Sequence, residues 1–182
     1  MTFKDDLQSY DPDAVRAVEV IWAVFGVAAA VVFIVWLRRV RAIAERLTKA
    51  PHRHGRGWVV GSWFVPVIAF WYPKQIVDDV IAASDPRTPP HAEELPPLRL
   101  KVVTIWWATW IAGNVIEFAD PGFFADQPSA RDLLTQTLAI TASSVLTVVC
   151  AVYAVRVIRL ITDLQASRPQ VAWWETADTR LG

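Results

Sequence analysis

Four apolar stretches punctuate the chain, and their lengths separate membrane-spanning candidates from shorter elements. Val20 to Leu37 runs eighteen residues without a charge, and Leu133 to Val155 runs twenty-three. About twenty apolar residues in a helix cross the ~30 Å hydrocarbon core of a bilayer, so both runs predict transmembrane helices. A third run, Val102 to Ile116, has fifteen uncharged residues. Arg99 and Lys101 can snorkel at one end while Phe118 and Ala119 extend the other, which predicts a third span. None of the three shows the polar stripe that a water-facing helix needs.

The remaining stretch, Trp58 to Tyr72, is broken by Gly61 and Pro66 and closed by Pro73. It reaches only ~22 Å if wholly helical, short for a straight span. Lys and Arg accumulate on the cytoplasmic side of membrane proteins. If this segment crosses, eight basic residues fall inside and ten outside; if it enters and returns, fifteen fall inside and three outside. The pattern predicts an all-α integral membrane protein, a small bundle of four hydrophobic helical segments. Three are full transmembrane helices and the Pro/Gly-broken second segment is re-entrant; four full spans are the alternative. The segments lie at about 20–38, 58–73, 100–118 and 133–160 of one membrane domain, 20–165. An extracytoplasmic segment, 1–19, precedes it and a polar cytoplasmic tail, 166–182, follows. The acidic start (Asp5, Asp6, Asp11, Asp13), with no small-residue cleavage pattern before Arg38 and Arg39, predicts that the first helix is retained.

Between the second and third segments, Ile76, Val77, Val80 and Ile81 share one face and Asp78 and Asp79 another. That spacing predicts an amphipathic helix lying in the membrane interface over about 74–84. Pro86, Pro89, Pro90, Pro96 and Pro97 make 85–97 an extended connector.

Composition narrows the function. Eighteen basic and eighteen acidic side chains give zero formal net charge, without the basic excess of a nucleic-acid binder. A single cysteine, Cys150, makes neither an internal bridge nor a thiolate cage. Ten tryptophans in 182 residues fit a chain whose rings sit where one edge is dry and the other wet. The seven cations between Arg38 and Arg56 read as a polybasic face on anionic cytoplasmic headgroups.

The run Gly57-Trp58-Val59-Val60-Gly61-Ser62-Trp63-Phe64-Val65-Pro66, with Pro73 and Gln75-Ile76-Val77 after it, resembles the hallmark of bacterial membrane proteins of domain-of-unknown-function family 4328. Trp36 and the arginines after it, Trp106-Trp107-Ala108-Thr109-Trp110, and Val155-Arg156-Val157-Ile158-Arg159 with Gln165 extend the likeness over about residues 20–165. Ala69 stands where the family pattern has an asparagine, and no asparagine lies near Ile43. The resemblance implies a multi-pass protein of the bacterial cytoplasmic (inner) membrane and supplies no chemistry.

Candidate chemistry is sparse. Val103, Trp107, Trp110, Asn114 and Glu117 recur at helical spacing, and Thr137, Thr141 and Ser144 form a comparable stripe in the last segment. Asn114 and Thr137 sit at similar predicted depth, which places an interhelical hydrogen bond between them within reach. His52 and His54, even with His91, are too few to specify a zinc site, so no metal and no cofactor are expected. Serine nucleophile patterns and phosphate-cradling glycine loops are absent, and no enzyme is expected. Trp173 and Trp174 near the C-terminus suit an interfacial anchor or a docking peptide. Interaction residues are therefore sought among Trp58, Trp63, Pro66, Trp71, Pro73, Trp107, Trp110, Asn114, Glu117, Thr137, Thr141, Trp173 and Trp174. The expected function is a non-enzymatic assembly or accessory subunit that packs against another membrane protein or itself. The alternative is an oligomeric channel or transporter in which the 58–73 segment lines a pore, with Ser62, Pro66 and Lys74 facing water.

Overall fold

A computed structural model describes residues 12–118 and 130–176. Among them are five α-helices and no strand. They are α1 (Pro12–Leu47), α2 (Trp58–Gly61), α3 (Tyr72–Ser84), α4 (Lys101–Phe118) and α5 (Ala130–Ala166), with a 3-10 turn at Ile68–Phe70. The expected extracytoplasmic segment, over 1–11, and the end of the expected tail, 177–182, lie outside the described residues.

The helix ends follow local chemistry. α1 starts at Pro12 with Asp13 in its first turn and finishes with Arg46 in its last, both signs favourable to the helix dipole. It runs nine residues past the expected end near 38, because Arg38 to Leu47 contains good helix formers and no glycine or proline. α3 opens on Tyr72 and Pro73, where a missing N–H costs nothing, and closes at Asp85, whose extended backbone (ψ 125°) is what a following proline imposes. The stretch 58–73 is not one helix. A single turn, α2, gives way after Gly61 to bends and the 3-10 turn, as Gly61 and Pro66 predict.

Two helices among the described residues are long and apolar enough to cross a membrane, α1 from Arg16 and α5 from Leu134, not four. α4 forms as expected, but Lys101, Asn114, Glu117 and its tryptophans dilute its apolar character.

The chain divides into two compact units, 1–37 and 38–182. In the first, the helix is apolar on every side: Trp22, Phe25 and Val32 are all exposed. In the second, α4 and α5 pack against each other. Gly113 meets Leu146, and Thr109 bonds Cys150, so partners ascend one helix as they descend the other and the pair is antiparallel. Val103, Trp106 and Trp107 of α4 and Val157 and Ile161 of α5 are buried.

The sharpest departure from expectation is α3. Every residue from Ile76 to Ser84 is buried, including Asp78 and Asp79, which the amphipathic pattern placed on a water-facing side. The helix is enclosed by the chain because both carboxylates find cations within it.

Candidate functional site

The polar residues of the second unit gather into two layers around α3. In the first, Asp79 accepts from the Arg53 backbone N–H (2.9 Å) and from Arg53 Nε (2.7 Å), while Asp78 accepts from Lys74 Nζ at 2.7 Å. Glu45 joins Arg41 (2.8 Å) to Arg56 (2.7 Å), and Arg41 also donates to the His54 carbonyl at 2.7 Å. The His54 ring bonds Gln75 Oε1 at 2.6 Å and stacks on Tyr72 with centroids 3.8 Å apart. Three cations of the expected polybasic face, Arg41, Arg53 and Arg56, are thus held by carboxylates of the chain itself. His52 lies beside them with no partner for Nε2. Burial and then the Arg41 charge hold its pKa down to about 4, against the pull of Asp79 and Glu45. Burial raises the Asp78 pKa and the Lys74 bond opposes it.

The second layer is a clamp built from the end of α5. Arg168, buried, spreads its guanidinium over four backbone carbonyls. Nη1 donates to Ala83 (2.8 Å) and Asp85 (3.0 Å), Nη2 to Leu47 (3.0 Å) and Thr88 (2.8 Å). Gln165 donates to the Val40 carbonyl (2.8 Å) and Ser84 Oγ (3.0 Å). The carbonyls at the ends of α1 and α3 belong to the groups that helix termini leave unpaired, so one cation caps two helices at once. Beside the clamp, Lys49 N–H donates to the Pro90 carbonyl at 2.8 Å and Trp173 N–H to the Arg46 carbonyl at 2.9 Å.

The expected site residues divide between this module and the helices. Trp63, Trp107 and Trp110 form one cluster: Trp107 stacks on Trp110 at 4.8 Å, and Trp63 meets both edge-on. Trp107 Nε1–H donates to the Phe70 carbonyl at 3.1 Å, pinning the 3-10 turn to α4. Trp58 lies edge-on to Tyr72, Pro73 is buried in the first turn of α3, and Pro66 and Trp71 are exposed. Trp173 packs near His91 and Trp174 is half exposed. Asn114 does not bridge to Thr137; its amide donates to Trp110 O of its own helix at 2.8 Å, and Thr141 Oγ–H to the Thr137 carbonyl at 2.7 Å. The Glu117 side chain lies outside the described atoms. Among the described residues, Arg168 and Gln165 carry the largest share of the long-range side-chain hydrogen bonds, and no local pattern marks either for that role.

Alongside α3 runs an open groove of about 720 Å³. Its lining includes Phe70, Trp71 and Trp107, the connector from Glu94 to Arg99, and the charged Arg53, Lys74, Asp78 and Asp79.

The sequence profile of the family described as Domain of unknown function (DUF4328) matches residues 7–163. No curated protein and no solved structure matches the chain. With most of its length covered by that profile, from ahead of α1 to near the end of α5, the chain belongs to the DUF4328 family.

Proposed function

We propose that this protein is a multi-pass, non-enzymatic membrane subunit whose lipid-embedded helices pack against a partner membrane protein or a second copy, held in register by the clamp around α3. The observation that carries the reading is the uncovered apolar surface of the two long helices. Only 6% of each spanning window is buried, and Leu134, Leu138, Ile140, Val145 and Val148 of α5 are all exposed. Water does not tolerate so extended an apolar face, and lipid with a partner helix does.

The re-entrant topology is supported by contacts on either side of the 58–73 segment. Arg53 and His54, just before it, bond Asp79 and Gln75, just after it, so the chain leaves and returns at one level. The Gln165 bond to Val40 and the Arg168 bond to Leu47 bring the end of α5 to that level too. At 37 residues α5 is ~55 Å long, which leaves its last turns, with Arg156 and Arg159, beyond a ~30 Å core. This, with the basic residues gathered on that side, favours an outside N-terminus and a cytoplasmic C-terminus. A pore lined by Ser62 is disfavoured, because Ser62 is fully buried.

Two measurements test the proposal. Single cysteines at Arg56, Arg87, Ser167 and Arg131 in a Cys150→Ala background should label from the cytoplasm at the first three and from outside at the last. Labelling of Arg87 together with Arg131 overturns the re-entrant segment. In mild detergent the protein should run as a complex heavier than its 20.4 kDa chain, and a monodisperse monomer with nothing bound overturns the subunit role.

A further inference from the structure

The groove beside α3 has features of a ligand site that the subunit role leaves unused. Its charged lining balances, with Arg53, Lys74 and Arg99 against Asp78, Asp79 and Glu94. Arg53 is committed to Asp79 and Lys74 to Asp78. Arg99 and Glu94 have no ion-pair or hydrogen-bond partner among the described residues, although both flank the groove and both are exposed. Asp78 is itself short of a donor: Oδ2 takes Lys74, while Oδ1 is buried and unpartnered. A carboxylate oxygen left so is costly, and a ligand N–H removes the cost.

The apolar wall adds a second requirement. Trp71 is 57% exposed and Phe70 44%, and the Trp107 bond to the Phe70 carbonyl holds the backbone that carries them where the 58–73 segment ends. Pro96 and Pro97, also in the lining, have no N–H, so the connector offers an extended peptide only an interrupted backbone ladder. The site therefore asks for a ligand with an anion for the Arg99 fork, an N–H-bearing cation for Asp78 and Glu94, and an apolar part for the rings.

We infer that the groove binds one amine-bearing zwitterionic phospholipid, its phosphate on Arg99, its ammonium between Asp78 and Glu94, and the start of its chains against Phe70 and Trp71. The inference rests on the membrane reading above. The balanced lining does not favour an anionic lipid, and a quaternary ammonium has no N–H to give Asp78.

The test is native mass spectrometry of the full-length protein released from nanodiscs of equal parts phosphatidylethanolamine, phosphatidylcholine and phosphatidylglycerol. One phosphatidylethanolamine should be retained per chain at about tenfold preference over phosphatidylcholine, the discrimination expected of one charge-assisted hydrogen bond. Asp78→Asn should abolish the preference. Arg99→Gln, at an exposed position without structural partners, should weaken retention without disturbing the fold. Equal retention of the three lipids, a preference unchanged in Asp78→Asn, or retention unchanged in Arg99→Gln overturns the inference while leaving the membrane reading intact. Displacement by millimolar free phosphoethanolamine overturns the lipid assignment in favour of a soluble ligand of the same head chemistry. Failure of the chain to enter nanodiscs at all overturns the membrane reading and this inference with it.

Discussion

Replacing Arg168 with Gln removes the clamp's central cation while keeping a polar side chain of intermediate length. Four carbonyls, of Leu47, Ala83, Asp85 and Thr88, lose a donor, although that of Asp85 keeps the Thr88 N–H at 2.9 Å. A buried hydrogen bond is worth about 1 kcal/mol net, and a buried carbonyl left unpaired costs at least as much, so the loss should be about 4 kcal/mol. Burial disfavours the charged guanidinium, and this partly offsets the gain from its bonds. Arg168→Lys should recover part of the loss: an ammonium has three donors on one nitrogen and does not reach carbonyls spread over two. Unfolding in mixed micelles of mild detergent and dodecyl sulfate, followed by far-ultraviolet circular dichroism, measures the difference. Arg159→Gln, at an exposed site on the same helix, is the control. If Arg168→Gln and Arg159→Gln unfold within about 1 kcal/mol of each other, the clamp does not hold the three helix ends together.

The second prediction concerns pH. His52 binds its proton near pH 4 in the fold and near 6.5 in the unfolded chain, so the unfolded state takes up protons first as pH falls. Stability should drop between pH 6.5 and 4, by up to about 3 kcal/mol, and His52→Gln should flatten the slope in that window. Equal slopes for both proteins would exclude His52 as the cause. The third concerns Gly113. A Cβ there would sit 3.9 Å from Leu146 Cβ, an ordinary contact, so Gly113→Ala should be neutral or stabilising by about 0.5–1 kcal/mol through helix propensity. A marked loss in the same unfolding assay would mean that α4 and α5 approach more closely than this.

Proline and glycine made the element boundaries readable. Pro73 opens α3, Pro86 forces Asp85 out of it, and Gly61 and Pro66 interrupt the second segment. The long apolar runs of α1 and α5 were equally plain. Arg38 to Leu47 lies past the expected end of the first segment, where its cations stand out as a polybasic face, although the same residues favour helix. Asp78 and Asp79 read as solvent-facing because acidic residues set off from an apolar helix face default to water. The Lys74 and Asp78 spacing of four did signal a pair, but Asp79 depends on Arg53, twenty-six residues away. The clamp had no local signature, since an arginine just past the end of a helix looks the same whether it reaches four carbonyls or none.

The clamp's position bears on what specifies the arrangement of these helices. In lipid, apolar side chains gain little by leaving the bilayer for one another, so helices there are aligned by close packing and hydrogen bonds. Among the described polar side chains of α4 and α5, Asn114 and Thr141 turn back onto their own helices, while Thr109 reaches across to Cys150. The long-range bonds are concentrated instead in the module around α3, where Gln165 alone reaches 125 residues back to Val40. Asn114→Leu should therefore change stability by less than about 0.5 kcal/mol, as for an exposed position. Gln165→Leu, which strips donors from the Val40 carbonyl and Ser84, should cost about 2 kcal/mol. If Asn114→Leu proves the more damaging in mixed-micelle unfolding, alignment is set within the apolar helices and the module around α3 follows them.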